Sequence, residues 1–364
     1  MRIGICGAGQ MGGYYANNLV NKCGFPAADV VCFDILPERP HALAQKYGVT
    51  VAESFPSGVD AAIVATNTPS HHDVVSRLVR QGVKHILCEK PLAQTPKDAR
   101  LIAAGAGDSN IYMALVINFS PALKYFFGGA GGWMGNHDVE IIDFYGRWGK
   151  NRGASSEKRP TAGDLEDEAV HVIGVLLAFA KAGGRKWKKV TAGARVGWLP
   201  FVNEVSQRKA AAMDPSFPEQ PNHSTSANLR FTGGSESWEL GASVYSSFLL
   251  PQETRLVGGL LGRGPHPIFG FEVQFDQKRP EKTGGAVDIL KVVNINENKT
   301  VIDSEFSGDK LNDLTKAFLT AAGSGGIDSR LTSVDEAVAL VDIADAILRS
   351  DASGGIPQDV RLRL

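Results

Sequence analysis

The sequence predicts an α/β protein in two parts: an N-terminal doubly wound parallel sheet, then a C-terminal α+β domain with a large, mostly antiparallel open sheet. Two observations predict this. Over the first ~120 residues, short β-rich runs alternate with helical stretches, the grammar of parallel βαβ units. After Pro121 the apolar runs lengthen and many alternate in polarity, as strands with one covered and one open face do. A chain of 364 residues fits two domains at ~100–200 residues each. The boundary is expected between 1–121 and 122–364, with the closing helices free to pack back on the first domain.

The elements follow in order. Arg2–Cys6 is an apolar strand and Met11–Lys22 a helix; Val30–Asp34 is the second strand, and His41–Tyr47 a short helix closed by Gly48. Ala61–Thr66 is a continuous apolar strand of the kind buried on both faces. Asp73–Gln81 is helical and stops at Gly82, His85–Cys88 is a strand, Pro96–Ala104 a helix and Ile111–Ile117 a strand. In the second part, strands are expected at Val139–Trp148, Lys189–Trp198, Ser226–Phe231, Ser237–Ser246, Thr254–Val257, Phe271–Phe275 and Ile289–Ile295. One strong helix, Leu165–Lys181, interrupts them; helices Lys310–Ala322 and Val334–Ser350 and a strand Val360–Leu364 close the chain.

Composition excludes several classes of function. Hydrophobic residues are 43% and charged residues 21%, with a formal net charge of −1, so no long-range field favours nucleic acid or an anionic membrane. No apolar run approaches the ~18–20 residues needed to span a bilayer. The four cysteines, Cys6, Cys23, Cys32 and Cys88, lie in or beside strand-like runs without metal-type pairing and read as free thiols in a reducing compartment. With a strand starting at Arg2, the default location is cytoplasmic. The histidines are scattered, and no metal site is expected.

The chemistry begins at Gly7-Ala8-Gly9-Gln10-Met11-Gly12. This G-x-G-x-x-G follows a strand and opens a helix, the context that gives the motif meaning. Gly7 permits the tight turn, Gly9 lets backbone approach a pyrophosphate, and Gly12 lets the helix pack close to the sheet. The helix N-terminus, at Gln10 and Met11, offers free N–H groups to phosphate. Asp34 follows Gly12 by about twenty residues, where a carboxylate accepts from a ribose 2′-OH and repels a 2′-phosphate. A Rossmann domain binding NAD is therefore expected, with NADP disfavoured despite nearby Arg39. Thr66, Asn67, Thr68 and Pro69 leave a buried strand at its C-terminal edge and are expected to line the dinucleotide, with His72 beyond them.

Glu89-Lys90-Pro91 then follows another apolar strand. The ordered set of Rossmann turn, Ala65-Thr66-Asn67-Thr68-Pro69, Glu89-Lys90-Pro91 and closing helices resembles the Gfo/Idh/MocA family, named for glucose–fructose oxidoreductase and inositol dehydrogenase, over nearly the whole chain. The resemblance implies an NAD-dependent oxidoreductase acting on a hydroxyl or keto carbon of a sugar, polyol or sugar derivative. It implies cofactor contacts at Glu89 and Lys90, and a lysine, an aspartate and a histidine as the catalytic set, here Lys90, Asp167 and His171. The residues themselves agree with this. Positions i and i+4 share a face of an α-helix; a histidine suits removal of a hydroxyl proton; a lysine stabilises alkoxide character. Two positions depart from the family pattern: Gly174 stands where an acid often follows the histidine, and Thr161-Ala162-Gly163 replaces a glycine triplet.

Arg147, Trp148, Lys150 and Arg152 precede the helix and are expected to wall the substrate, the cations recognising any anionic group on it. Two other readings stay open: an NAD-assisted glycoside hydrolase working by transient oxidation, and a non-catalytic NAD or sugar sensor. The resemblance also implies a homodimer or homotetramer built through open sheet faces.

Overall fold

The computed structural model describes residues 1–128, 132–151, 165–182, 187–197, 224–233, 239–247, 249–263, 266–278 and 286–362. The chain divides into two compact units, Met1–Phe119 with Asp309–Val341, and Ser120–Gly308 with Asp342–Leu364.

The first unit holds strands β1 (Ile3–Cys6), β2 (Val30–Phe33), β3 (Thr50–Val51), β4 (Ala61–Val64), β5 (His85–Glu89) and β6 (Asn110–Ala114). They run parallel in the order β6-β5-β4-β1-β2-β3, and a short β15 (Thr332–Ser333) adds antiparallel to β6. Every residue of β1 and β4 is buried, as expected of central strands covered on both faces. The order turns at β1, flanked by β2 and β4, and this switch point is where such sheets hold ligands.

Helices α1 (Gln10–Asn17), α2 (Glu38–Tyr47), α3 (His71–Arg80) and α4 (Pro96–Ala104) follow β1, β2, β4 and β5. Local chemistry starts and stops them. Thr95 accepts from Asp98 N–H ahead of Pro96, and Gly48 ends α2 in the left-handed conformation. The core joins Ile3, Ile5, Tyr15, Leu19, Ile63 and Leu87 to Leu314 and Phe318 of α8 (Lys310–Ser324). Each such side chain contributes ~1.5–3 kcal/mol by leaving water. The sequence reading sets α8 with the second domain, free to pack back; in the structure it belongs to the first unit.

The second unit adds β7 (Glu140–Asn151), β8 (Trp187–Gly197), β9 (Ser224–Gly233), β10 (Glu239–Ser247), β11 (Leu249–Arg263), β12 (His266–Gln277), β13 (Val287–Asn294), β14 (Lys299–Ser307) and β16 (Gln358–Arg361). Their order is β14-β13-β12-β11-β7-β10-β9-β8-β16, antiparallel throughout except for the pair β7–β10. Helices α5 (Pro121–Phe127), α6 (Trp133–His137) and α7 (Val170–Ala182) belong to this unit, and α9 (Val334–Ala352) spans the division between the two. β9 alternates strictly, with Thr225, Ala227, Leu229 and Phe231 buried. Gly146 in β7 lets α7 come close, because a Cβ there would run into the Val172 side chain. Phe126, Phe144, Phe179 and Phe271 pack edge-on or tilted beside one another.

Some features go beyond expectation. β14 is an added edge strand, and α5 and α6 lie in a stretch to which the sequence reading assigns no element. The closing strand is Gln358–Arg361, beginning ahead of the expected Val360–Leu364.

Candidate functional site

The turn between β1 and α1 carries three glycines, and the fold requires two of them. Gly7 has φ +97°, and a Cβ on it would stand 2.5 Å from the Ala65 carbonyl oxygen. A Cβ on Gly12 would strike the Gly7 carbonyl oxygen. Gly9 is different: it caps α1 in an extended conformation with no side-chain hydrogen bond, and a Cβ on it would meet nothing within 4 Å. Sterics of the fold therefore explain Gly7 and Gly12 and leave Gly9 unexplained. Open space in front of uncapped helical N–H groups is what a pyrophosphate requires. Gln10 and Met11 open the helix; Gln10 Nε2 donates to Tyr14 Oη at 3.0 Å, and Met11 packs partly against the core.

Asp34 leaves the end of β2 and tightens the same turn. One carboxylate oxygen accepts from Ala8 N–H at 2.7 Å and the other from Leu36 N–H at 3.0 Å. The side chain is 6% exposed, and the Arg39 guanidinium lies 3.6 Å away. The carboxylate thus fixes the turn. The glycines, the uncapped helix start and this carboxylate fit a dinucleotide.

Thr66–Pro69 follow β4 after Ala65. Ser70 Oγ lies 2.8 Å from Thr66 Oγ1 and donates to the Asn67 carbonyl at 2.8 Å. Of the two histidines that open α3, His72 is half-buried with Nδ1 3.2 Å from Asp73, whereas His71 is turned inward and 1% exposed. His71 Nδ1 lies 3.0 Å from the Pro91 carbonyl oxygen and Nε2 lies 3.1 Å from that of Thr66. Burial pushes the imidazole pKa below its ordinary value, while contacts with the backbone of Thr66, Pro91 and Leu92 pull the other way. A signal for this existed in the sequence: His71, Val75 and Leu78 form the i, i+4, i+7 stripe that α3 buries.

Lys90 directly follows β5. Glu89, expected among the cofactor contacts, turns its carboxylate inward, where Oε1 accepts from Tyr15 Oη at 2.7 Å and Oε2 accepts from Lys90 N–H at 3.2 Å. Burial raises the Tyr15 phenol well above its ordinary pKa, and the adjacent Glu89 charge adds to that, so Tyr15 stays a donor.

In the second unit His171 sits in the first turn of α7, its ring stacked on Trp148 with centroids 5.0 Å apart and 23° between planes. Trp148 is buried and also touches Phe275, at 5.5 Å, with the Arg255 guanidinium 6.0 Å over its ring. Its Nε1 is buried without a hydrogen-bond partner among the described residues. The backbone over Leu165–Ala169 is a wide π turn, not the α-helix assumed for the Asp167–His171 spacing.

The expectation that Arg147 and Trp148 wall one substrate site fails on the pleat. Adjacent residues of a strand point to opposite faces. Gly146 and Trp148 face α7, so Arg147 points away from it, its guanidinium 5.5 Å over the Tyr245 ring. Arg152 lies outside the described residues, as do the side chains of Lys150 and Asp167. Among the described residues no cluster of His, Cys, Asp or Glu could hold a metal ion, and no helix is long and apolar enough to cross a membrane.

Residues 1–114 match the oxidoreductase family with an NAD-binding Rossmann fold, Gfo/Idh/MocA. The chain is 38% identical over 98 residues to a myo-inositol dehydrogenase of Streptomyces leeuwenhoekii, covering 26% of this chain and 29% of that protein. It is 28% identical over 131 residues to a scyllo-inositol 2-dehydrogenase (NAD(+)) of Bacillus subtilis, covering 34% and 37%. These matches span about a third of the length of those relatives. Among solved structures, levoglucosan dehydrogenase in complex with NADH and L-sorbose superposes with a TM-score of 0.72 at 19% identity, over 100% of this chain and 98% of that one. At that identity the likeness is one of fold.

Proposed function

We propose, from the premise that residues 1–114 belong to the Gfo/Idh/MocA family of oxidoreductases, that this chain is an NAD-dependent oxidoreductase of a sugar, polyol or sugar derivative. One observation carries the reading: Gly9, whose missing side chain no protein atom demands, stands before the uncapped start of α1 while Asp34 holds the turn in place. The residues that would hold the dinucleotide are Gly7, Gly9, Gln10, Met11 and Gly12, the Thr66–Pro69 loop with His72 beyond it, and Asp34. The buried carboxylate of Asp34 disfavours a 2′-phosphate and so favours NAD over NADP. Bound NAD would supply the hydride acceptor, and NADH the donor.

The remaining work falls to side chains. His171 takes the hydroxyl proton in oxidation and returns it in reduction. Its stacking on Trp148 restricts the ring to rotation within one plane, which aims its nitrogens. Lys90 donates a hydrogen bond to the reacting oxygen as negative charge develops there. Asp167 assists His171 or a substrate hydroxyl.

The test is the nicotinamide absorbance change of purified protein with NAD and a panel of inositols, aldoses, anhydrosugars and sugar acids. His171→Ala is expected to lower kcat by about 10²–10⁴-fold, and Lys90→Ala by about 10²–10³-fold. NADH binding, followed by its fluorescence, should persist in His171→Ala. Bound NADH with no net reduction by any member of the panel would sink the dehydrogenase reading; glycoside cleavage in the same samples would replace it.

A further inference from the structure

Lys90 is bracketed by two buried anchors. The residue before it, Glu89, is held through its carboxylate by Tyr15, which lies on α1, the helix whose N-terminus faces the dinucleotide turn. The residue after it, Pro91, has its carbonyl oxygen 3.0 Å from His71, whose other ring nitrogen lies 3.1 Å from the Thr66 carbonyl. Tyr15 and His71 are each at most 1% exposed. Neither is used by the chemistry proposed above.

We infer that His71 and Tyr15 are positioning residues for Lys90: the His71 ring ties the loop after β5 to the loop after β4, and the Tyr15 hydroxyl ties the end of β5 to α1. The inference rests on the role given to Lys90 under the proposed function. Carbonyl oxygens only accept, and a neutral imidazole carries one N–H, so the ring donates to one of the two carbonyls at a time while its other nitrogen stays beside the second; no apolar ring of the same size can replace it. The two carbonyls belong to the loops at the C-terminal ends of adjacent strands β4 and β5. That edge is where open α/β sheets hold their ligands. Lys90 takes its starting point from the backbone between these anchors, and a misplacement of about 1 Å at a reacting centre can cost about 10²-fold in rate.

The experiment uses the full-length chain and three readouts: turnover, NADH affinity, and amide hydrogen exchange across residues 66–70 and 89–93. His71→Phe keeps an aromatic ring and removes both of its nitrogens. It is expected to lower kcat by about 10–100-fold and to weaken NADH binding by a smaller factor, because the Thr66–Pro69 loop is only one part of the dinucleotide site. It should speed exchange in both loops and leave the Gly7–Gly12 turn unchanged. His71→Gln, which restores amide donors, should recover part of the loss. In a Lys90→Ala background the same His71→Phe change should cost almost nothing further, because residues that act as a unit are not additive.

Unchanged kcat in His71→Phe, or an equal loss with and without Lys90, would overturn the inference. If His71→Phe does not fold, Tyr15→Phe carries the test, since it removes one hydroxyl and should lower kcat about tenfold, again only with Lys90 present. Wild-type protein that binds no NADH would defeat the functional reading instead, and the exchange measurement would still decide whether His71 ties the two loops together.

Discussion

In the parallel sheet, the groups that shape the glycine turn come from one short run, Gly7 to Gly12, and from Asp34 just past the neighbouring strand. In the nine-stranded sheet, the surroundings of His171 come from distant parts of the chain: Trp148 of β7, Arg255 of β11 and Phe275 of β12. The first arrangement is made by backbone conformation, with a positive φ at Gly7 and close backbone approaches at Gly7 and Gly12. The second is made by side-chain packing on one face of a sheet. A site of the first kind tolerates change in volume poorly but is insensitive to distant repacking. A site of the second kind depends on every ring in the stack.

The largest effect is therefore expected at Trp148. Trp148→Ala removes a buried indole that carries His171, and should cost about 3–5 kcal/mol of stability in the second unit. All five tryptophans lie between residues 120 and 308, so their fluorescence in a denaturant titration reports that unit alone. Trp148→Phe should recover most of the stability. NADH affinity should move by less than about threefold in either variant, since the turn is local to the other unit. A collapse of NADH binding in Trp148→Ala would break the contrast between the two regions.

Next comes Gly12→Ala. Overpacking costs about 1–3 kcal/mol or more, and here the obstacle is a backbone carbonyl that has little room to give. Alanine returns about 1 kcal/mol through helix propensity. A net loss near 2 kcal/mol in the first unit is expected, measured by far-ultraviolet circular dichroism against denaturant. No loss would mean that the close approach of α1 to the turn is not what requires glycine.

These two positions also show what the sequence made legible. The glycine turn, the acid at the end of β2 and the alternation of strands and helices were readable because each rests on neighbours in the chain. The outward direction of Arg147 needed only the pleat, and the inward turn of His71 only the helical stripe with Val75 and Leu78. Both were recoverable in principle. The stacking of Trp148 on His171 was not, because nothing local ties β7 to α7. β14 escaped notice for another reason: it is an edge strand whose residues are mostly exposed and polar, so no apolar alternation marks it. Ser120 and Pro121 read as a break between domains, yet they cap and open α5, with Ser120 Oγ accepting from Leu123 N–H at 3.2 Å.

A smaller effect is expected at Tyr15. Tyr15→Phe keeps the ring that fills the core and takes from Glu89 Oε1 its phenolic donor, at a cost of about 1–2 kcal/mol. The comparison sharpens if that loss is confined to the first unit. Tryptophan fluorescence should then melt where it does in the wild type, while circular dichroism shifts to lower denaturant.

The smallest effect on stability is expected at Gly9, and it separates fold from ligand most cleanly. The residue is extended, at φ −74° and ψ −157°, a conformation any amino acid adopts, and an added Cβ meets no protein atom within 4 Å. Gly9→Ala should therefore leave stability within about 0.5 kcal/mol of the wild type. The same methyl group would project into the space where backbone N–H groups await phosphate. NADH affinity should fall at least about tenfold, equivalent to 1.4 kcal/mol, and Gly9→Val should deepen the loss without unfolding the unit. Gly12→Ala and Gly9→Ala would then differ in kind: the first weakens the fold, the second the binding. If Gly9→Ala bound NADH as tightly as the wild type, the open space at the start of α1 would not be the phosphate site, and the local logic assigned to this region would fail at its central residue.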